Sequence, residues 1–509
     1  MYTKVNSMAI QGIDGQVISV ETDVSAGLPE FSMVGYLSSE VREARERVRI
    51  SLKNSGFSLA PRRITVNLSP ADLRKEGTSF DLAVALGILA SYGCLPDAEL
   101  TNLAAIGELG LDGSVHSVPG VLSMVAAARE AGISACIVPK ANEAEGALVE
   151  EIRVIGVDSL PEAVHLLSTS GGWRNIAQTL GNVLEDKPQY EVDFCEVNGQ
   201  AALKRAAEVA AAGMHNLLMI GPPGSGKTMI AKRIPTILPE LTRSESLEVS
   251  KIYSVCGLLS PVSPLKRERP FRAPHHTVSY RALVGGGRVP RPGEISLANR
   301  GVLFLDELPE FSKISLEVLR QPLEERTVQI SRVYGSYQFP ADCMVVAAMN
   351  PCRCGYYPDR NRCQCSDADV KRYLQRVSRP LLDRMDLCVE APAIGYEAVR
   401  GKGENENSDQ IRKRVKSAWE RQTIRFKGLG ISCNAQMTGK QVKKFCLLGE
   451  QEEAMMERIF DTLGLSARAY HRILKVARTI ADLDGEDEIK EQHLGEAIGY
   501  RGLEQRFWG

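Results

Sequence analysis

A chain of 509 residues with 44% hydrophobic and 25% charged side chains has the composition of an ordinary globular protein, and it exceeds what one hydrophobic core serves, so about three domains are expected. A formal net charge of −1 excludes a uniformly basic coat while leaving local basic patches open. No stretch approaches the roughly 20 apolar residues of a membrane span, and residues 1–23 lack the basic start and apolar core of a secretory signal, which points to a cytoplasmic protein with no membrane partner.

Residues 1–170 read as an α/β domain. Val41, Ala44, Val48 and Leu52 fall on one helical face, whereas Ile64, Val66 and Leu68 fall at the period of a strand ending at Ser69 and Pro70. Thr78 with Asp81 three residues on reads as a capping box opening a buried helix. Ser, Thr and Gly at 168–172 and the polar run after them predict a linker over 171–200. Residues 201–395 read as a second α/β domain. Its predicted parts are a buried strand at 217–220, a helix at 226–234 stopped by Pro235, and buried strands at 301–305 and 343–349. Each strand ends in polar residues, as in a parallel sheet that holds its ligands at the strand C-termini. Val328 and Ile330, then Tyr337 and Phe339, predict a hairpin over 327–339 turning near Gly335, with Arg332 either facing a central pore or solvated. Residues 396–509 read as helices, with a polar loop at 401–409 and an apolar stripe of Tyr470, Ile473, Ala477 and Ile480. Seven basic residues in 412–427 read as a solvated helix face in preference to a set of phosphate contacts.

Gly221, Pro222, Pro223, Gly224, Ser225, Gly226, Lys227 and Thr228 follow a strand and open a helix, the context a phosphate-binding loop requires. The glycines let backbone N–H groups and the helix N-terminus point at phosphates; Lys227 supplies a point charge and Thr228 a hydroxyl for magnesium. Asp306 and Glu307 end the next buried strand. The first is placed to hold magnesium, the second to orient and deprotonate an attacking water. Asn350, ending the third strand, reads either as a partner of the γ-phosphate or of that water, or as the start of an Asn-Pro turn. Twelve cysteines without a secretory signal exclude a disulfide framework. Four of them, Cys352, Cys354, Cys363 and Cys365, form a C-x-C, eight residues, C-x-C array that suits either a structural zinc or reduced thiols in an ordered loop. His275 and His276 are adjacent, so their side chains converge poorly on a metal, and they read as packing or nucleic-acid residues.

From about Ile64 to Arg501 the chain resembles the YifB/ComM family of magnesium-chelatase-like AAA+ ATPases. The resemblance rests on ITVNLSPADLRKEGTSFDLAVALGILA at 64–90, HNLLMIGPPGSGKT at 215–228, FRAPHHTVSYRALVGGG at 271–287, RPGEISLANRGVLFLDELPEF at 291–311, AAMNPCRCG at 347–355, RPLLDRMDL at 379–387 and SARAYHRILKVARTIADL at 466–483. It implies a Lon-protease-like N-terminal domain on a ribosomal-protein-S5-type fold, an AAA+ core and a helical lid. It also implies ATP and Mg2+ as ligands, Asn350 as sensor one, Arg384 as an arginine finger acting across a subunit boundary, and Arg468 as a sensor-two arginine acting from the lid. A site completed by a neighbour implies a ring, here a hexamer, and the family implies DNA as the partner, with a motor acting on a protein as the alternative. Ser79 stands where the Lon-type nucleophile is kept, but Leu122 occupies the place of its lysine, so the resemblance implies a domain that is not proteolytic.

Overall fold

The computed structural model describes residues 1–168, 190–332, 335–393 and 405–508. Residues 171–189 of the expected linker, the hairpin turn at 333–334 and positions 401–404 of the expected loop lie outside the described residues. The chain forms two compact units, one of Met1–Lys187, Arg243–Lys266 and Gln329–Tyr337, the other of Pro188–Thr242, Arg267–Val328 and Gln338–Gly509.

The first unit is built on a seven-stranded mixed sheet. Its strands are β1 (Tyr2–Gln11), β2 (Asp14–Ser25), β3 (Glu30–Val34), β4 (Arg63–Ser69), β5 (Leu103–Ala105), β6 (Ala135–Pro139) and β7 (Arg153–Val157), in the order β3-β4-β2-β1-β5-β6-β7. Helix α1 (Ser39–Asn54) buries Val41, Ala44, Val48 and Leu52, and α2 (Asp81–Ser91) is buried at every residue, as its unbroken apolar run requires. Val66 and Leu68 of β4 are buried, in keeping with the period-two reading. The expected capping box is not formed. The Thr78 hydroxyl bonds Glu108, the residue capping α2 is Phe80 without a side-chain bond, and Asp81 instead accepts from the Arg47 guanidinium at 2.8 Å. Burial raises the Asp81 carboxyl, and the Arg47 hydrogen bond acts against it; a buried carboxylate gains more from a full counter-charge than from a hydroxyl. Helix α3 (Val121–Glu130) carries the fully buried Leu122.

The second unit is built on a five-stranded parallel sheet. In chain order its strands are β8 (Leu217–Ile220), β9 (Phe271–Arg272), β10 (Val302–Leu305), then, after a hairpin of β11 (Thr327–Arg332) and β12 (Gly335–Pro340), β13 (Met344–Met349) and β14 (Leu387–Glu390). The sheet order is β9-β10-β13-β8-β14. Every residue of β8, β10 and β13 is buried, the pattern of strands covered on both faces. Helix α4 (Ala201–Gly213) precedes β8, and α5 (Lys227–Ile237) follows it. Proline does not end α5 as expected: Pro235 lies inside it, because losing one hydrogen bond near the C-terminus is offset by burial of Ile234 and Ile237 on either side.

Beyond position 404 the described residues form helices and loops, among them α6 (Ser408–Arg425), α7 (Ala467–Leu483) and α8 (Glu491–Trp508). Of the stripe, Ile473, Ala477 and Ile480 of α7 are buried and Tyr470 is partly buried against the same core. The basic run is a solvated face only in part: Lys413, Lys416 and Lys427 are exposed. Arg412 pairs with Asp409 at 3.0 Å, Arg414 with Glu406 at 2.7 Å, Arg421 with Asp487 at 2.6 Å, and Arg425 with the fully buried Asp482. Four of the seven cations are thus spent within the unit, Arg421 and Arg425 by carboxylates 66 and 57 positions away that no local pattern announces. No helix among the described residues is long and apolar enough to cross a membrane.

Candidate nucleotide-binding site

Strand β8 delivers its last residue, Ile220, into a loop whose glycines take backbone angles that side chains resist: φ is +75° at Gly224 and +83° at Gly226, which caps α5. A Cβ at Gly224 would meet nothing within 4 Å, so this rim of the loop faces open space. Lys227 opens α5 and turns back into the loop. Its Nζ donates to the carbonyls of Gly221 and Pro222, both at 2.8 Å, to Ser225 Oγ at 3.2 Å and to Asn350 Oδ1 at 3.5 Å. Burial pulls the Lys227 ammonium down to about 8, and the Asp306 carboxylate acts against that pull. A cation held among carbonyls at a helix N-terminus suits an anion.

Register places the acids. In the parallel sheet Leu305 pairs with Ala347 and Ile220 with Met349, so the residues that follow β8, β10 and β13 emerge together at one edge. The Thr228 hydroxyl donates to Asp306 Oδ2 at 2.9 Å, bringing together the two oxygens expected to hold magnesium. These residues fit the ion: a hydroxyl and a carboxylate beside an anion receptor are hard oxygen donors of the kind Mg2+ takes. Glu307 is exposed and sits at φ +51°, a conformation that costs about 1–3 kcal/mol and is found chiefly where side-chain aim matters. Its N–H donates to Asp306 Oδ1 at 2.9 Å, and His276 Nδ1 lies 3.4 Å from its Oε2. The pairing of His276 with an acid was not anticipated from the sequence, which shows only two adjacent histidines. Gln200 is a second residue missed, donating to the Ser225 carbonyl at 3.0 Å and to the Pro392 carbonyl at 2.8 Å, where it buttresses the loop from outside. A lone glutamine before a helix carries no sequence signal for that role.

The two arginines lie elsewhere. Leu217 pairs with Leu387 and Ile220 with Glu390, so Arg384, which precedes β14, stands at the N-terminal edge of the sheet, about 10 Å of strand away from the edge where the loop from Gly221 begins. The Arg384 carbonyl accepts from Asn216 Nδ2 at 2.9 Å, which fixes that position at the start of β8. Its buried guanidinium reaches the Arg320 carbonyl at 3.0 Å and Glu324 at 2.8 Å. Arg468, at the start of α7, reaches the same Glu324 oxygen at 2.7 Å. The structure therefore gathers Arg384 with Arg468, and Lys227 with Thr228, Asp306, Glu307 and Asn350, as two separate groups. Glu324, which joins the arginines, is a third residue with no signal in the sequence. Asp386, two residues after Arg384, is held well below the usual carboxylate range; its burial acts the other way but is outweighed by the His215 side chain and the cations Arg472 and Lys475.

The four cysteines of the C-x-C array converge. All four Sγ atoms lie within 4.8 Å of one another, in a loop that leaves β13 directly after Asn350.

Models of three protein families match the chain: subunit ChlI of Mg-chelatase at 20–142, magnesium chelatase subunit ChlI at 193–399, and the C-terminal part of magnesium chelatase subunit ChlI at 405–501. The competence protein ComM of Haemophilus influenzae is 42% identical over 504 residues, which cover 98% of this chain and 97% of that protein. The uncharacterised protein YifB of Escherichia coli is 41% identical over 512 residues, 98% of this chain and 97% of its own length. The uncharacterised protein Rv2897c of Mycobacterium tuberculosis is 40% identical over 496 residues, 97% of each chain. Identity at this level along nearly the whole length, with three matching family models in order, means that the chain belongs to the YifB/ComM family of magnesium-chelatase-like proteins.

Proposed function

We propose that the protein is a ring-forming AAA+ ATPase, a hexamer, that hydrolyses ATP with Mg2+ to translocate on or remodel DNA. The observation that carries this reading is the division of one catalytic set between opposite edges of the parallel sheet. The loop N–H groups and Lys227 bind the phosphates, and Thr228 with Asp306 would hold the magnesium, which would offset phosphate charge when bound. Glu307 takes a proton from the attacking water, Asn350 orients that water or the γ-phosphate, and His276 aims the carboxylate of Glu307. Arg384 and Arg468 sit on the far edge from their own phosphate loop, where they suit the loop of a neighbouring subunit, and their cations oppose the negative charge developing in transfer. A site completed by the next copy calls for a closed ring.

DNA as the track is supported by the relative named a competence protein. The match to magnesium chelatase subunits favours a second reading, in which the ring acts on a protein partner. The N-terminal unit is not read as a protease. Ser79 is buried with its hydroxyl donating to the Met8 carbonyl at 3.3 Å, and Leu122, its N–H bonded to Glu145 at 2.9 Å, has no base to offer.

The test is the ATPase rate of the full chain with and without single-stranded and forked DNA at one fixed salt concentration, since phosphate contacts are salt-sensitive. Stimulation by DNA that disappears in Arg384→Ala is the expected result. Normal basal hydrolysis that no DNA changes would transfer the proposal to a motor acting on a protein.

A further inference from the structure

The ATPase reading leaves the cysteine array unused, and its place in the fold gives it work. We propose that Cys352, Cys354, Cys363 and Cys365 bind one zinc ion, and that the resulting knuckle braces the phosphate loop and the end of β13.

The spacing of the sulfurs is that of a shared ion. The Cys352 and Cys354 sulfurs are 3.3 Å apart, Cys354 and Cys363 3.5 Å, and Cys352 and Cys363 3.7 Å. Four thiolates about 2.3 Å from a tetrahedral zinc lie about 3.8 Å from each other, whereas a disulfide brings two sulfurs to about 2.05 Å. Four soft donors in a tetrahedron select zinc over magnesium or calcium, and because all four positions come from protein the site is closed to substrate. The loop's own hydrogen bonds orient the donors before any ion enters. Gly355 N–H donates to the Cys352 carbonyl at 3.0 Å, Cys363 N–H to the Asp359 carbonyl at 2.8 Å, and the Arg360 guanidinium to the Cys365 carbonyl at 2.9 Å. The stretch from Cys352 to Cys365 contains no helix or strand, so it cannot build a core, and a metal cross-link supplies what packing does not.

The knuckle touches three parts of the ATP-binding unit. Cys352 lies two residues beyond Asn350, so the ion fixes the residue that leaves β13 toward Lys227. Gly355, at φ +85°, meets the phosphate loop itself: a Cβ there would come within 2.5 Å of Pro223 Cδ. Tyr357 packs edge-on against Phe507 of α8, with ring centroids 6.3 Å apart. An ion holding these contacts in place is coupled to the phosphate loop, and the coupling is reciprocal: zinc tightens nucleotide and nucleotide tightens zinc. The metal site stands without the ATPase reading; the brace rests on it.

The experiment uses the full chain purified under reducing conditions with no metal added. Elemental analysis is expected to find about one zinc per chain. That zinc is lost in Cys354→Ser/Cys365→Ser, which changes the two partly exposed ligands, and kept in Cys195→Ser, which changes an exposed cysteine outside the array. Release of zinc to a chromogenic chelator should slow about fivefold or more when ATP is added, and a fluorescent ATP analogue should bind weaker by the same factor once zinc is stripped. In Lys227→Ala the zinc should remain while ATP no longer slows its release. Folded wild-type chain with four reduced thiols and no zinc overturns the site. Stripped, folded chain that binds the analogue undiminished overturns the brace. Zinc-loaded wild type that binds no nucleotide overturns the brace and the ATPase reading together while leaving the metal site standing.

Discussion

The two edges of the parallel sheet differ in how they are built. At the C-terminal edge, the groups proposed to meet phosphate come from short, contiguous runs that the strands carry to one place: Lys227 and Thr228 after β8, Asp306 and Glu307 after β10, Asn350 after β13. At the N-terminal edge, Arg384 and Arg468 come from a turn and a distant helix and are held by Glu324, which neither approaches in sequence. One edge gathers its polar groups around Lys227, and the other holds Arg384 and Arg468 on one carboxylate. About 10 Å of strand keeps them apart within one chain. In the proposed ring, that division would let one copy's arginine edge face the next copy's loop.

The receptor edge gives the largest expected effects. Lys227→Ala should abolish nucleotide binding, measured by titration with a fluorescent ATP analogue, and lower hydrolysis by about 10³-fold or more. Glu307→Gln should bind the analogue as wild type does and slow hydrolysis by about 10²–10⁴-fold, because the amide cannot take the proton. Equal hydrolysis in wild type and Glu307→Gln would remove Glu307 from the role of base.

The arginine edge is expected to lose hydrolysis without losing nucleotide. Arg384→Ala should lower the ATPase rate about 10³-fold at unchanged affinity, since the cation acts on charge that develops only in transfer. Mixing turns the comparison of edges into a measurement. An Arg384→Ala chain keeps an intact phosphate loop, and a Lys227→Ala chain keeps an intact arginine edge. If the edges meet between copies, the mixture hydrolyses ATP faster than either variant alone. A mixture no faster than its components would mean that Arg384 serves its own chain, against the topology of β8 and β14.

What could be read in advance follows the same division. The three buried strands and the buried part of the α7 stripe depend on residues near each other in sequence, and the structure has the strands within a residue or so of the expected bounds. The failures depend on partners far away. Asp81 looked like part of a cap because its real partner, Arg47, lies 34 positions earlier. The basic run of α6 looked solvated because Asp482 and Asp487 come from beyond α7's core stripe. His276 does pack edge-on against Phe311, one of its two sequence readings, yet nothing local announces Glu307, which joins it only when β10 delivers it to the shared edge. Nor does anything local mark the segment Arg243–Lys266 as part of the N-terminal region's compact unit, where Ser254 bonds Glu145 across 109 positions. Local chemistry announces motifs; tertiary pairing decides what the remaining charges do.

The smallest expected effect is a pH dependence, and it probes the receptor edge alone. Burial, opposed by Asp306, leaves Lys227 at about 8 in place of the usual 10.5. Phosphate binds the ammonium form and raises its affinity for the proton. Below about 8 the free site already carries that proton, so affinity should be flat with pH. Above it the free lysine is neutral, and nucleotide must take up a proton as it binds, so affinity should fall by up to about tenfold for each pH unit. Isothermal titration of Mg·ATP from neutral to alkaline pH, in buffers of different ionisation enthalpy, would read both the slope and the proton. In Lys227→Arg the guanidinium does not titrate in this range, so whatever affinity remains should lose the slope. A slope that persists in the arginine variant would assign the proton to another group, and with it the claim that Lys227 is the cation the phosphates meet.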